Sequence, residues 1–456
     1  MALTNRKKGA SGKRGHTDKT AWLKRGLGKQ IATFDAGTLT PGSVQVSSDS
    51  AYEDICSYSW AKRKNPTIYV PGAPPRWTSP ALPATVPQDT GAHPIDHNAW
   101  KMPTCPFIPL FSSLRATNPS FSFRAVDLLA TRNSLRKLLD FVDARVGQTF
   151  RIDATLARDT LVLLRRERSA CAFLPPTNGA PHVSFGHGFE AAVTTPAPGL
   201  EASTSHHRAI SYDLGELKCV VQFEVDAWFE ESPDDGVADP TAAEPAEGCG
   251  GGVEELLGAG IEDAVAGLSL RPGAARASVS TPKTSAAGRQ GRGKKGNCRG
   301  SSGALEILKR DADYRPPGRQ LAEIKVRSKK PYLVSKAIPQ MWFGRTPYLI
   351  SGVHDEGVFS DIKVERVGDK FSAWEDRNQE ALKRLVALIA QMRELLMDQR
   401  REVTGRSGGE SGARLAWAFT YDHKVKPARL VAHELVKNAK VAAIPQEYVQ
   451  AFWAQN

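Results

Sequence analysis

The chain has 456 residues, 41% of them hydrophobic, and a formal net charge of +12; this length can bury one large core or two ordinary ones, and the charge favours a polyanionic partner. Its six cysteines (Cys56, Cys105, Cys171, Cys219, Cys249 and Cys298) show no C-x-x-C spacing, which argues against a zinc or disulfide framework and for a reducing compartment. The basic N-terminus lacks the apolar centre of a secretion signal and no run approaches about 18 apolar residues, so neither secretion nor a membrane span is expected, and nucleus and/or cytoplasm is the expected location.

Residues 1–50 are rich in Lys, Arg, Gly, Ser and Thr and poor in large apolar groups, which predicts a disordered basic tail followed by one domain over 51–456. Arg6-Lys7-Lys8 and Lys13-Arg14 read first as solvated charge, with a nuclear address or an RNA-touching arm as the functional alternatives. From Tyr52 to Phe111 prolines and aromatics dominate, as in Val70-Pro-Gly-Ala-Pro-Pro-Arg-Trp77, and are expected to wrap a core rather than form one. Val126–Ala130 reads as a short strand, with a helix capped by Asn133 and an apolar stripe of Leu135, Leu138, Leu139 and Val142. Phe150–Leu156 alternates, Arg158-Asp159 turns and Leu161–Leu164 returns, which is the pattern of a β-hairpin.

Ser184–Glu190 opens a helix that aims Glu190 into a cleft or simply sets a carboxylate at a helix start. His206-His207 invites a metal reading, but consecutive strand residues face opposite ways and no partner stands at ligand spacing, so the pair is set aside. Residues 231–302 run from acidic through Gly/Ala/Ser-rich to basic with almost no aromatics, and are expected to be a disordered insert. Tyr348–Val353 is strand-like, with Gly352 as a candidate bulge, and Trp374–Met397 is the clearest helix, its apolar residues recurring at three and four. Gly405–Gly412 reads as a flexible turn, Leu415–Phe419 as a strand and Ile444–Trp453 as a closing helix. The fold class is α/β, with a mixed, largely antiparallel central sheet flanked by helices.

Two stretches carry the chemistry. Gln222-Phe-Glu-Val-Asp226 and Leu321-Ala-Glu-Ile-Lys325 both alternate, so Glu224 shares a strand face with Asp226, and Glu323 with Lys325. If the strands pair, three carboxylates and an ammonium meet on one patch, and carboxylates crowded together call for a divalent cation. Such a cation beside a lysine suits phosphodiester or pyrophosphate hydrolysis. The plain alternative is a pair of amphipathic strands whose charges face water.

The order Arg132, Gly186-x-x-Phe189-Glu190, Glu224-Val-Asp226, Glu323-Ile-Lys325 and Gln340 resembles the decapping exonuclease family, DXO and its fungal relatives, whose core is PD-(D/E)XK nuclease-like. The likeness runs from about Tyr58 to Trp453 and includes Arg132-Asn-Ser-Leu-Arg-Lys-Leu-Leu139, Pro347-Tyr-Leu-Ile-Ser-Gly-Val353 and Ile444-Pro-Gln-Glu-Tyr-Val449. It implies that 51–456 is a decapping-nuclease-like catalytic domain using Mg²⁺ or Mn²⁺ on RNA 5′ ends: incomplete or nicotinamide-type caps, triphosphates and the nucleotides that follow. A 5′-3′ exoribonuclease is the implied candidate protein partner. By resemblance Glu190, Glu224, Asp226 and Glu323 are the metal carboxylates, and Lys325 and Gln340 place the attacking water. Arg132 contacts the 5′ phosphates, with Glu224, Lys325 and Gln340 also on the substrate side. Three features depart from the family pattern: His187 inside the glycine-glutamate motif, the long Asp226–Glu323 separation and the short Lys325–Gln340 one. A non-catalytic RNA-binding protein and a DNA-directed nuclease on the same core are the alternatives; an isoprenoid synthase lacks its paired aspartate-rich boxes.

Overall fold

The computed structural model describes residues 20–145, 147–174, 183–230, 303–311, 315–406, 415–436 and 443–454. Residues 1–19, the predicted insert at 231–302 and most of the predicted turn at 405–412 lie outside the described residues. The architecture is mixed α/β, largely antiparallel and flanked by helices, with an 11-stranded and a 7-stranded sheet among the described residues, beside a two-stranded pair of Gly91–Pro94 and Cys171–Leu174. The larger sheet runs from Leu27–Asp35 at one edge to Glu306–Lys309 at the other, with Leu217–Val225 in its interior. The smaller one centres on Leu321–Ser328 and Tyr348–Asp355, which pair in parallel.

The sheets are joined where the site lies. Leu217–Val225 ends in the larger sheet, and after Asp226 the chain re-enters extended structure as Ala227–Trp228 in the smaller one. Ala227 pairs antiparallel with Ala322, so one step further along the ladder Asp226 comes opposite Glu323. The two predicted stretches therefore meet, but only at the tip where one sheet hands over to the other.

Two expectations about the first hundred residues are corrected. Leu27–Asp35 is a paired strand against Arg429–Leu435, and Val46 is fully buried. Polar anchors hold this segment where apolar content is low: Arg151 donates to the carbonyls of Leu23 (3.1 Å) and Arg25 (2.5 Å), and the Gln379 amide brackets both backbone groups of Val46. Composition undercounts these side-chain-to-backbone bonds, and residues 20–50 are part of the fold. Likewise Tyr58 and Trp60, on the strand Glu53–Ala61, are fully buried and help form a core with Phe107, Phe111 and Phe123 rather than wrapping one.

Elsewhere local pattern and structure agree closely. The hairpin forms as Phe150–Ala157 and Thr160–Arg166, with Arg158 at φ 51 in the turn. The next helix is Arg132–Val142, capped not by Asn133 but by Thr131, whose hydroxyl accepts the Ser134 N–H. The long helix extends to Phe371–Arg406, and Leu382, Leu385, Val386, Ile389, Met392 and Leu396 line the core at 0–3% exposure, each contributing about 1.5–3 kcal/mol by leaving water. No described helix is long and apolar enough to cross a membrane.

Candidate active site

Glu323 is the centre of a buried charge network. The helix Arg132–Val142 starts directly after the strand Leu128–Thr131, which sets Arg132 over the sheet junction. Its guanidinium grips Glu323 through Nη1 to Oε2 at 2.9 Å and Nη2 to Oε1 at 3.3 Å. Lys325 Nζ donates to Glu323 Oε1 at 2.9 Å and lies 3.9 Å from Asp226 Oδ2, while that Oδ2 accepts the Ile324 N–H at 2.8 Å. From the helix Val334–Gly344, Gln340 donates its amide to Glu323 Oε1 and accepts from Arg136 Nη1 at 3.1 Å.

The unequal distances set the charges. Burial pushes the Asp226 carboxyl well above its usual range, Glu323 pushes it further, Lys325 pulls it back and Glu190 adds to the rise. Burial also works against the Glu323 carboxylate, yet Arg132 and Lys325 outweigh it and hold that group at about 2. Lys325 loses hydration on burial, but Glu323 and then Asp226 outweigh this and keep the ammonium charged. Lys325 sits closer to Glu323, so Asp226 is the carboxylate left short of positive charge.

Glu190 reaches this neighbourhood from the helix Gly186–Ala192, whose backbone N–H groups at His187 and Gly188 donate to Asp89 at 3.1 and 2.8 Å. Phe189 locks the helix down by stacking on Phe359 with centroids 4.2 Å apart. Gly352 permits that stack: a Cβ there would stand 2.7 Å from Phe189 Cζ. The ladder irregularity falls at Val353/His354 instead, so the glycine marks a close approach and not a bulge.

Glu224 goes elsewhere. Its Oε1 lies 3.8 Å from His97 Nδ1, and with His207 it forms a set in which one ligand atom from each residue is within 4.8 Å of the others. Among the described residues no set of three ligand atoms this close includes Asp226, Glu323 or Glu190. Burial, helped by His187, Lys101 and His93, pushes His97 down to about 3; burial with His97 and Arg132 puts His207 well below its usual value. Both imidazoles are neutral.

His206 and His207 do face opposite ways, as strand parity requires: His206 Nδ1 is 3.1 Å from Ser59 Oγ, while His207 turns to the cleft. Sequence reasoning set His207 aside for want of a partner, and the partner it missed, His97, opens the short helix His97–Lys101, capped by Asp96. Nothing in local spacing connects the two. They line one cleft with Arg132, Asn133, Arg165 and Glu224.

The family model described as a domain of unknown function, DUF8563, matches residues 30–247 and 299–413. No curated protein sequence matches the chain. Among solved structures, S. pombe Rai1 in complex with 3′-FADP is 10% identical with a TM-score of 0.47, covering 89% of this chain and 99% of that one. Candida albicans Rai1 in complex with pU5-Mn²⁺ is 11% identical with a TM-score of 0.47, covering 92% and 100%. K. lactis Dxo1 in complex with manganese is 8% identical with a TM-score of 0.44, covering 90% and 96%.

Proposed function

We propose that this chain, which belongs to the DUF8563 family of domains of unknown function, is a metal-dependent hydrolase acting on RNA 5′ ends, removing incomplete or nicotinamide-type caps or a 5′ triphosphate, with 5′-3′ exoribonuclease activity as its extension. The observation that carries this is a buried lysine between two carboxylates, Lys325 at 2.9 Å from Glu323 and 3.9 Å from Asp226. A protein interior does not hold such a cluster cheaply, and phosphoryl chemistry is a use for it. RNA as substrate rests on the order of motifs from Arg132 to Gln340 and on the net charge of +12.

The residues present fit a hard divalent cation, Mg²⁺ or Mn²⁺. The donors are carboxylate oxygens, and Asp226 is crowded by Glu323 and Glu190 with too little positive charge nearby. Among the described residues Glu323 Oε2 accepts one hydrogen bond, from Arg132, which leaves it a lone pair. Asp226, Glu323 and Glu190 would hold the cation. When bound, it neutralises phosphate oxygens and lowers the pKa of water. Lys325 donates to the attacking water or to the phosphoryl oxygen that gains charge, and Gln340, fixed between Glu323 and Arg136, orients the same region. Arg132, whose buried Nε has no hydrogen-bond partner among the described residues, lines the cleft beside Asn133 and Arg165 and is the side chain that would meet the 5′ phosphates.

The test is one purified protein on triphosphorylated, nicotinamide-capped, methyl-capped and 5′-hydroxyl RNA with Mg²⁺ or Mn²⁺, beside Asp226→Ala. Metal-dependent product from at least one 5′ end, lost in the variant, is expected. Binding of RNA without product from any of them would replace this reading with a non-catalytic one, and cleavage of DNA alone with a DNA-directed nuclease.

A further inference from the structure

We propose that Asp89 is a positioning residue for Glu190: it acts through the helix Gly186–Ala192 and sets where that carboxylate stands against Asp226. The inference rests on the metal-site reading of Glu190 and adds to it a group that touches neither cation nor substrate. The helix supplies no cap of its own, since Phe185 stands at the N-cap without a side-chain acceptor. Its first N–H groups therefore need acceptors from elsewhere. Asp89 brings them from 98 residues before His187: Oδ1 accepts the Gly188 N–H at 2.8 Å, and Oδ2 accepts the His187 N–H at 3.1 Å and the Ser184 hydroxyl at 2.7 Å. Ser184 Oγ in turn accepts the Gly186 N–H at 3.3 Å.

The three groups bonded to this carboxylate are all donors, so the position calls for an acceptor at both oxygens, and an asparagine would turn its amide hydrogens against one of them. Asp89 is buried and itself held, because its N–H donates to the Ser184 carbonyl at 2.8 Å. The same segment clamps the helix on two further sides. A Cβ on Gly188 would stand 2.7 Å from Val86 Cγ1 and 2.8 Å from the Pro87 carbonyl oxygen, so glycine lets the two backbones meet. His93 stacks on the His187 ring with centroids 4.3 Å apart and planes within 10°, and His187 Nδ1 lies 3.9 Å from Glu190 Oε2. His187, a departure from the family pattern, is thus part of the bracket. Glu190 follows Gly188 by less than one helical turn, so an anchor on the Gly188 N–H fixes the backbone from which Glu190 projects. At the far end Thr194 Oγ1 donates to the Glu190 carbonyl at 2.6 Å.

The experiment measures uptake of Mn²⁺ by metal-free protein, read from the EPR signal of free Mn²⁺. Wild type is expected to bind Mn²⁺ and Asp226→Ala to lose it. Asp89→Asn should weaken binding about 10-fold, the scale on which groups that orient a metal ligand act, and Ser184→Ala, which removes a single bond to Asp89, by less. The decisive comparison is a double-mutant cycle: Asp89→Asn added to Glu190→Gln should weaken Mn²⁺ binding no further than Glu190→Gln alone, because the first residue acts through the second. Ile389→Val, a loss of packing in the long helix, should lower the melting temperature and leave Mn²⁺ affinity unchanged, which separates positioning from stability. Asp89→Asn protein with a lowered melting temperature and wild-type Mn²⁺ affinity would make Asp89 a structural cap and overturn the proposal, as would additive losses in the cycle. Wild-type protein with no Asp226-dependent Mn²⁺ uptake is a different failure, which overturns the metal reading itself and the positioning role with it.

Discussion

Glu224 and Asp226 stand two residues apart on one run of backbone, yet they end in environments of opposite kind. Asp226 enters a network already balanced by Arg132 and Lys325, in which Glu323 takes most of the positive charge. Glu224 meets neutral imidazoles from a helix and a strand remote in sequence. What a carboxylate does at such a junction is therefore decided by the elements that reach it from elsewhere. The side that receives arginine and lysine is held by charge, and the side that receives histidine by neutral hydrogen bonds.

The comparison is broken most severely by removing the arginine. Arg132→Ala leaves Glu323 buried with two of its four hydrogen bonds gone, and one lost member of a buried pair costs about 3–5 kcal/mol. Urea denaturation should show a fall of that size, whereas Arg132→Met with Glu323→Gln, which removes both charges, should cost less. Catalysis gives the next effect. Lys325→Ala should lower turnover on the preferred 5′ end by about 10²–10³-fold, the range for losing one preorganised charge stabiliser, with the RNA dissociation constant within a few-fold. A loss of binding equal to the loss of turnover would show that Lys325 holds substrate and does no more.

Gly352→Ala tests the support of Glu190. The added methyl meets Phe189 at 2.7 Å, and overpacking of this kind costs about 1–3 kcal/mol. Thermal unfolding should register it, and displacement of the helix Gly186–Ala192 should raise the Mn²⁺ concentration needed for half-maximal turnover. The smallest effect is electrostatic. Glu323 is held at about 2, below its unfolded value, so it adds stability above an unfolded pKa of about 4.3 that is lost as pH falls toward 2. Asp226 is raised, so its contribution runs the other way and is lost as pH rises above its unfolded value. Acid unfolding of Glu323→Gln should therefore be shallower between about pH 4.3 and 2. Asp226→Asn should be more stable than wild type at neutral pH without metal, and Mn²⁺ should raise the melting temperature of wild type but not of the variant.

Much was legible one element at a time. Alternation marked the hairpin from Phe150 and both site strands, and a three-and-four repeat marked the long helix through Leu382 and Ile389, because burial on one face writes its period into the chain. Order of motifs named the residues Arg132, Asp226, Glu323, Lys325 and Gln340, which the structure gathers around one carboxylate. The ordered stretch from residue 20 to 50 was illegible since its anchors, Arg151, Gln379 and Glu375, lie far along the chain and act on backbone rather than through apolar content.

By itself, then, the sequence determined the local elements, the parity that puts Glu323 with Lys325, and the opposite facing of His206 and His207, because these follow from backbone periods of two and 3.6 residues. Only the tertiary structure decided that Glu224 comes within 3.8 Å of His97, that Arg132 grips Glu323, and that Gly352 clears room for Phe189. Those outcomes depend on which remote side chain arrives at a sheet junction, and pairing across hundreds of residues leaves no period in the chain to read.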